Sequence, residues 1–163
     1  MSGQVFVIAD LHLGHAKLAE VRGFASVEAH DAWLVAAWNR VVDKRDVVYV
    51  LGDVFRLDRV GDLHGIKKLA MGNHDTKPVA AYAALFSKVA AYFEFDGCLL
   101  SHIPVHEGQR HRFKLNVHGH THANLIFDPW YVSVSVEQLE GGSPALLRDR
   151  IAASLAQLKE LTR

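Results

Sequence analysis

The sequence predicts an α/β fold in a single domain spanning residues 1–163. Three observations carry this. Short, continuous, β-branched apolar runs recur along the chain, as in strands buried on both faces. Stretches with helical apolar spacing lie between them. The length suits one hydrophobic core, half the residues are apolar and 22% are charged.

The first run is "VFVIAD", Val5 to Asp10, and "VVYVLGD", Val47 to Asp53, has the same build. "KKLAMGNHD", Lys67 to Asp75, is a shorter version, followed by "CLLSH", "KLNVHGH" and "YVSVSVE". In "EAHDAWLVAAWNRVV", Leu34, Ala37, Trp38 and Val41 share one helical face. "KPVAAYAALF" predicts a second helix with Pro78 near its start. Ser143 and Pro144 predict an N-cap and first helical position, followed by a core-facing stripe of Leu147, Ile151, Leu155 and Leu158. The last two or three strands lack long helices between them. They are expected to form a second, more antiparallel sheet or the far half of a sandwich. Trp33 and Trp38 are expected in the core, and His30 and His64 at the surface.

Each apolar run stops at a polar cluster: Asp10, His12 and His15; Asp53; Asn73, His74 and Asp75; His102; His118, His120 and His122. Ligands bind at strand ends in open α/β sheets, so five strand ends present nitrogen and oxygen donors to one region. Carboxylate, imidazole and amide oxygen without thiolate suit borderline divalent metals. The donors are too many for one ion and suit two that share a carboxylate, the clamp used in phosphoryl chemistry. Gly52, Gly72 and Gly119 each precede a candidate ligand and let the backbone approach closely.

The motifs "DLHLGH", "GDV", "GNHD", "SH" and "GHTH", in this order, resemble those of the calcineurin-like metallophosphoesterases, in particular a compact bacterial and bacteriophage branch. The resemblance covers most of the chain. It implies a two-sheet β-sandwich flanked by helices and a dinuclear metal site. By motif, Asp10, His12 and His122 correspond to ligands of one ion, Asp53 to the bridging carboxylate, and Asn73, His102 and His120 to ligands of the other. His74 corresponds to the general acid, and Asp75 is expected to orient it. The implied cofactors are two divalent ions, manganese first, with iron, zinc, cobalt or nickel as alternatives. The branch often carries Asn where this chain has Ser133 in "SVSVE", a departure expected to touch no metal ligand. His118, outside the core of its motif, reads as structural.

Asn73, His15, Arg110 and Arg112 are candidate substrate contacts, the arginines lying in a basic segment between two ligand strands. The implied substrate is a small phosphoester or nucleotide. Lysine plus arginine equals aspartate plus glutamate, so no global positive field draws nucleic acid, and a nuclease is the less favoured alternative. A non-catalytic protein-binding scaffold is the third reading, opposed by the complete ligand set. Cys98 is the single cysteine and reads as a buried thiol; no intrachain disulfide forms. No signal peptide and no membrane span is read, so a cytoplasmic location is expected.

Overall fold

The computed structural model describes residues 3–161. The elements run β1 (Val5–Ile8), α1 (Ala16–Val21), α2 (Val27–Val41), β2 (Val47–Leu51), β3 (Ile66–Ala70), α3 (Val79–Ala83), β4 (Lys88–Ala90), β5 (Tyr92–Phe95), β6 (Cys98–Ser101), β7 (Asn116–His118), β8 (Tyr131–Ser133), β9 (Ala145–Leu146) and α4 (Leu147–Leu161). They form an α/β fold of two mixed sheets flanked by helices. One sheet has the order β4-β3-β2-β1-β9 and the other β5-β6-β7-β8. Ile8, Val50, Leu69, Leu100, Val117 and Val132, from both sheets, belong to one buried cluster.

In the first sheet β1 to β4 are parallel, so β1, β2 and β3 end on the same edge. The later strands form a second sheet across the shared core, as the sandwich alternative expects, but not a mainly antiparallel one: only β5 and β6 run antiparallel, while β6, β7 and β8 are parallel. A parallel pair needs a crossover of about a dozen residues, and an irregular loop of that length serves as well as a helix. Segments 102–115 and 119–130 provide it.

Helix α2 starts where Ser26 accepts a hydrogen bond from the Ala29 amide (3.1 Å), with Glu28 in the first turn favouring the helix dipole. It buries Leu34, Ala37 and Trp38, whereas Val41 is exposed and the burial passes to Val42, beyond the helix. Trp33 is half-buried against the core. His30 is fully buried, not at the surface, and His64 is half-buried. The Ser143–Pro144 start of α4 is also corrected: Ala145 and Leu146 first pair antiparallel with Val7 and Phe6, and the helix begins at Leu147. The capture of two residues by the open edge of β1 outweighs the local capping signal. The expected stripe packs on the core, with Leu147 and Ile151 buried and Leu155 and Leu158 partly so.

The two sheets join at the end where the ligand loops emerge. The Ala9 amide donates to the Val134 carbonyl (2.8 Å), and the Val136 amide to the Ala9 carbonyl (3.1 Å). Among the described residues no helix is long and apolar enough to cross a membrane.

Candidate metal centre

Six non-glycine residues at this end of the molecule have left-handed backbones: Asp10 (φ 60°), His12 (48°), Asp53 (57°), Phe55 (71°), His120 (70°) and His122 (50°). The conformation costs an L-residue about 1–2 kcal/mol, and such strain persists where the surroundings enforce it. It recurs here in pairs two residues apart, in three loops. The apolar residue inside each of the first two pairs, Leu11 and Val54, is buried. This anchors the loop while Asp10, His12 and Asp53, themselves buried, turn toward one another. The two loops run side by side, with the His12 amide donating to the Asp53 carbonyl (2.8 Å) and the Leu13 amide to the Val54 carbonyl (3.0 Å).

The side chains so presented form two groups that share Asp10: Asp10, His12 and His122; and Asp10, Asp53 and His102. Within each, donor atoms lie within 4.8 Å of one another. Asp53 spans both groups. Its Oδ2 is 3.4 Å from His12 Nε2 and its Oδ1 is 3.4 Å from His102 Nε2. His102 Nε2 also lies 2.9 Å from Asn73 Oδ1 and 3.3 Å from His120 Nδ1, and the latter pair are 3.0 Å apart. Asp10 is held by the His120 amide, at 3.0 and 2.9 Å from its two oxygens.

The donors fit a pair of cations. Both ring nitrogens of His12, which is 2% exposed, lack a hydrogen-bond partner among the described residues, an arrangement a protein avoids unless something else uses the lone pair. Burial lowers the His12 pKa, which favours the neutral, ligating imidazole. Burial alone would raise the Asp53 pKa. The His12 imidazole 3.4 Å away, the amide of His74 and the adjacent His102 outweigh it and hold the group at about 2, a carboxylate at neutral pH. His102 Nδ1 donates to the Leu51 carbonyl (2.8 Å) and His122 Nδ1 to Glu137 (3.0 Å), leaving the opposite nitrogen of each ring for an ion. The approach is close enough to require glycine: a Cβ on Gly119 would lie 2.4 Å from Ala9 Cβ and 2.8 Å from Asp10 Oδ2.

His74 is exposed beside these groups. Its amide donates to Asp53 Oδ1 (2.9 Å), and its ring centroid is 5.2 Å from that of His12. Asp75 does not orient it. The Asp75 carboxylate turns inward and accepts from the amides of Asp53 (3.0 Å), Val54 (2.9 Å) and Gly72 (2.8 Å). These three bonds tie the second ligand loop to the third and place Asp53, not the His74 ring.

Sequence reading missed a polar chain behind His122 that runs from the surface to the buried His30 and Asp31. Glu137 accepts from His122 and from Arg22 Nε (2.9 Å). Arg22 also donates to the Asp10 carbonyl (2.7 Å), the Leu11 carbonyl (3.1 Å) and His30 Nε2 (2.9 Å). Because arginine only donates, His30 carries its proton on Nδ1, which donates to Asp31 (2.9 Å). Asp31 in turn accepts from the Gly14 amide (3.0 Å). The "SVSVE" segment thus does reach a candidate ligand, through Glu137. That residue was visible as a carboxylate ending a strand, but Arg22, His30 and Asp31 carry no sequence signal that separates them from surface helix residues.

The other candidates divide. His15 caps α1, its Nδ1 accepting from the Leu18 amide (3.2 Å), and its ring lies 5.3 Å from that of His12 and 6.1 Å from that of His74. Arg110 is not presented to the centre: it pairs with Asp128 and stacks over Trp130 at 4.9 Å. Arg112 lies against Phe113 and lines a groove with Tyr92 and His106. His118 is buried, its Nδ1 donating to the Gly119 carbonyl (2.8 Å) and its Nε2 without a partner among the described residues.

No family model matches the chain. The chain is similar to the gene 66 protein of Mycobacterium phage L5, at 35% identity over 72% of this chain and 77% of that protein. It is also similar to the gene 66 protein of Mycobacterium phage D29, at 34% identity over 75% and 80%. Among solved structures, a protein of unknown function from Aquifex aeolicus shares the fold, with a TM-score of 0.70 and 22% identity over 90% of this chain and 97% of that one.

Proposed function

We propose, for a chain that belongs to the family of the mycobacteriophage gene 66 proteins and whose motifs resemble those of the calcineurin-like metallophosphoesterases, the hydrolysis of small or nucleotide-like phosphate esters with two divalent metal ions. The observation that carries this reading is the pair of Asp/His groups sharing Asp10, with Asp53 3.4 Å from both His12 and His102 and the buried His12 ring making no hydrogen bond among the described residues. Asp10, His12, Asp53 and His122 would hold one ion and Asp53, Asn73, His102 and His120 the other, manganese being the first candidate. Bound there, the ions would supply positive charge to the phosphoryl oxygens and a water made nucleophilic near neutral pH.

The chain's own groups do the rest. Asn73, whose Oδ1 faces His102 and His120, has an amide NH2 to offer a phosphoryl oxygen. His74 stands exposed beside His12, anchored through its amide on Asp53, and protonates the departing oxygen. His15, fixed by its capping bond, lines the same side. His74→Ala should keep both ions in a metal titration and lose about a hundredfold or more in turnover of esters with poor leaving groups. Unchanged turnover would remove His74 from the role.

The test of the whole reading is hydrolysis of bis-p-nitrophenyl phosphate and p-nitrophenyl phosphate by metal-stripped protein, with Mn²⁺ restored and Asp53→Asn as control. Metal-dependent turnover that Asp53→Asn abolishes supports it, and the preferred ester separates diesterase from monoesterase. Two bound ions with no turnover on these esters or on nucleotides would leave a scaffold.

A further inference from the structure

Five of the six left-handed residues at the centre are candidate metal ligands. The sixth is Phe55. A large aromatic side chain is an uncommon occupant of this region, where glycine or asparagine is cheaper, and strain concentrates at groups that act. Phe55 stands two residues after Asp53, as His12 stands two after Asp10, and the bridge between Leu13 and Phe55 aligns the two loops. The backbone that turns His12 toward the ions thus recurs at Phe55, with a ring in place of an imidazole ligand.

That ring is not spent on the core. Phe55 is 37% exposed. Its centroid lies 4.7 Å from that of His15, whose ring stands 5.3 Å from His12 and 6.1 Å from His74. His15 is fixed by its bond to the Leu18 amide, so Phe55 leans on a rigid support. His15 thus has the rings of His12, His74 and Phe55 as its neighbours. A group protonated by His74 on leaving has His15, and through it the exposed Phe55 ring, close by. An apolar platform one ring beyond His15 suits a substrate whose planar part is separated from phosphorus by a spacer, as a nucleobase is by its sugar.

We propose that Phe55 is a specificity-determining residue that stacks the base of a nucleoside phosphate. This rests on the phosphoesterase reading and names the substrate class of the same site. Stacking on an aromatic side chain is tolerant of base identity and worth on the order of tenfold in affinity per base.

The experiment compares adenosine 5′-monophosphate with ribose 5-phosphate, which differ by the base alone. Both are titrated calorimetrically into Mn²⁺-loaded protein and tested as competitive inhibitors of p-nitrophenyl ester turnover. Wild type should bind the nucleotide about tenfold more tightly. Phe55→Leu, which keeps apolar bulk, should abolish that preference and leave ribose 5-phosphate binding unchanged; Phe55→Tyr should restore it. Melting temperatures check that Phe55→Leu is folded, and Phe55→Asn, which suits the left-handed backbone and has no ring, carries the test should it not be. A wild type without base preference, or a Phe55→Leu variant that loses both ligands equally, overturns the proposal while leaving the phosphoesterase reading intact. A wild type that hydrolyses no ester and binds neither ligand overturns both.

Discussion

Asp75 shows how a single side chain changes role when its surroundings are known. In "GNHD" it follows His74, and an adjacent carboxylate is a natural partner for an imidazole. The turn after β3 instead points the two side chains apart, one to solvent and one into a nest of three amides. Asp75→Asn replaces a charged acceptor with an amide group, one end of which opposes an N–H. Chemical denaturation of the metal-free variant should show a loss of about 2–4 kcal/mol. The ligand types themselves were legible because five successive apolar runs each close on carboxylate, imidazole or amide groups, a recurrence that separate structural roles do not explain. Asp10, His12, Asp53, His102 and His122 fall into two close donor groups that share Asp10, and Asn73 and His120 lie beside His102. The orientation of Asp75 was not legible, because it depends on backbone angles that sequence adjacency does not encode.

Among elements, the short helix α1 and the turn after β8 do more for the centre than their length suggests. Arg22 closes α1 and Glu137 sits in a single helical turn, Val136–Gln138, and together they brace His122 and the Asp10 loop. Glu137→Gln should weaken the ion bound by His12 and His122 about 10–100-fold in a Mn²⁺ titration and spare the other. A pH effect accompanies it. Burial would raise the Glu137 pKa, but the hydrogen bond from His122 and the charge of Arg22 hold it at about 2, below its ordinary 4.5. A depressed carboxyl contributes stability that is complete above about 4.5 and lost as pH falls toward 2. Acid titration of metal-free Glu137→Gln should therefore show a shallower fall over that window than wild type. The strands and the two long helices were readable from apolar spacing. The six-residue α1 and the short β4, β5 and β9 were not, since too few residues repeat to establish a period.

On the scale of the whole molecule, the α/β class followed from alternation of strand and helix patterns, but the direction of the second sheet did not, because a long loop leaves the same blank in the sequence as a hairpin arm. Cys98 sits where the sheets pack, fully buried, and burial raises its pKa. It should resist a thiol reagent at neutral pH in the native protein and react once denaturant unfolds the core. Label incorporation against urea should follow the loss of far-ultraviolet circular dichroism; reaction well before it would mean that the second sheet opens alone.

The seam between the sheets sets an order in time. Ala9, next to the first ligand, is fastened to Val134 and Val136, and β1 gains its outer neighbour only from Ala145 and Leu146. A chain emerging from the ribosome has its first ligands at residues 10 and 12 exposed long before these partners exist. The ion-binding cradle closes only after nearly the whole polypeptide has left the exit tunnel. Any metal taken up by these groups would therefore bind late in maturation, and a prematurely terminated chain carries every candidate ligand through His122 without the frame that brings them together.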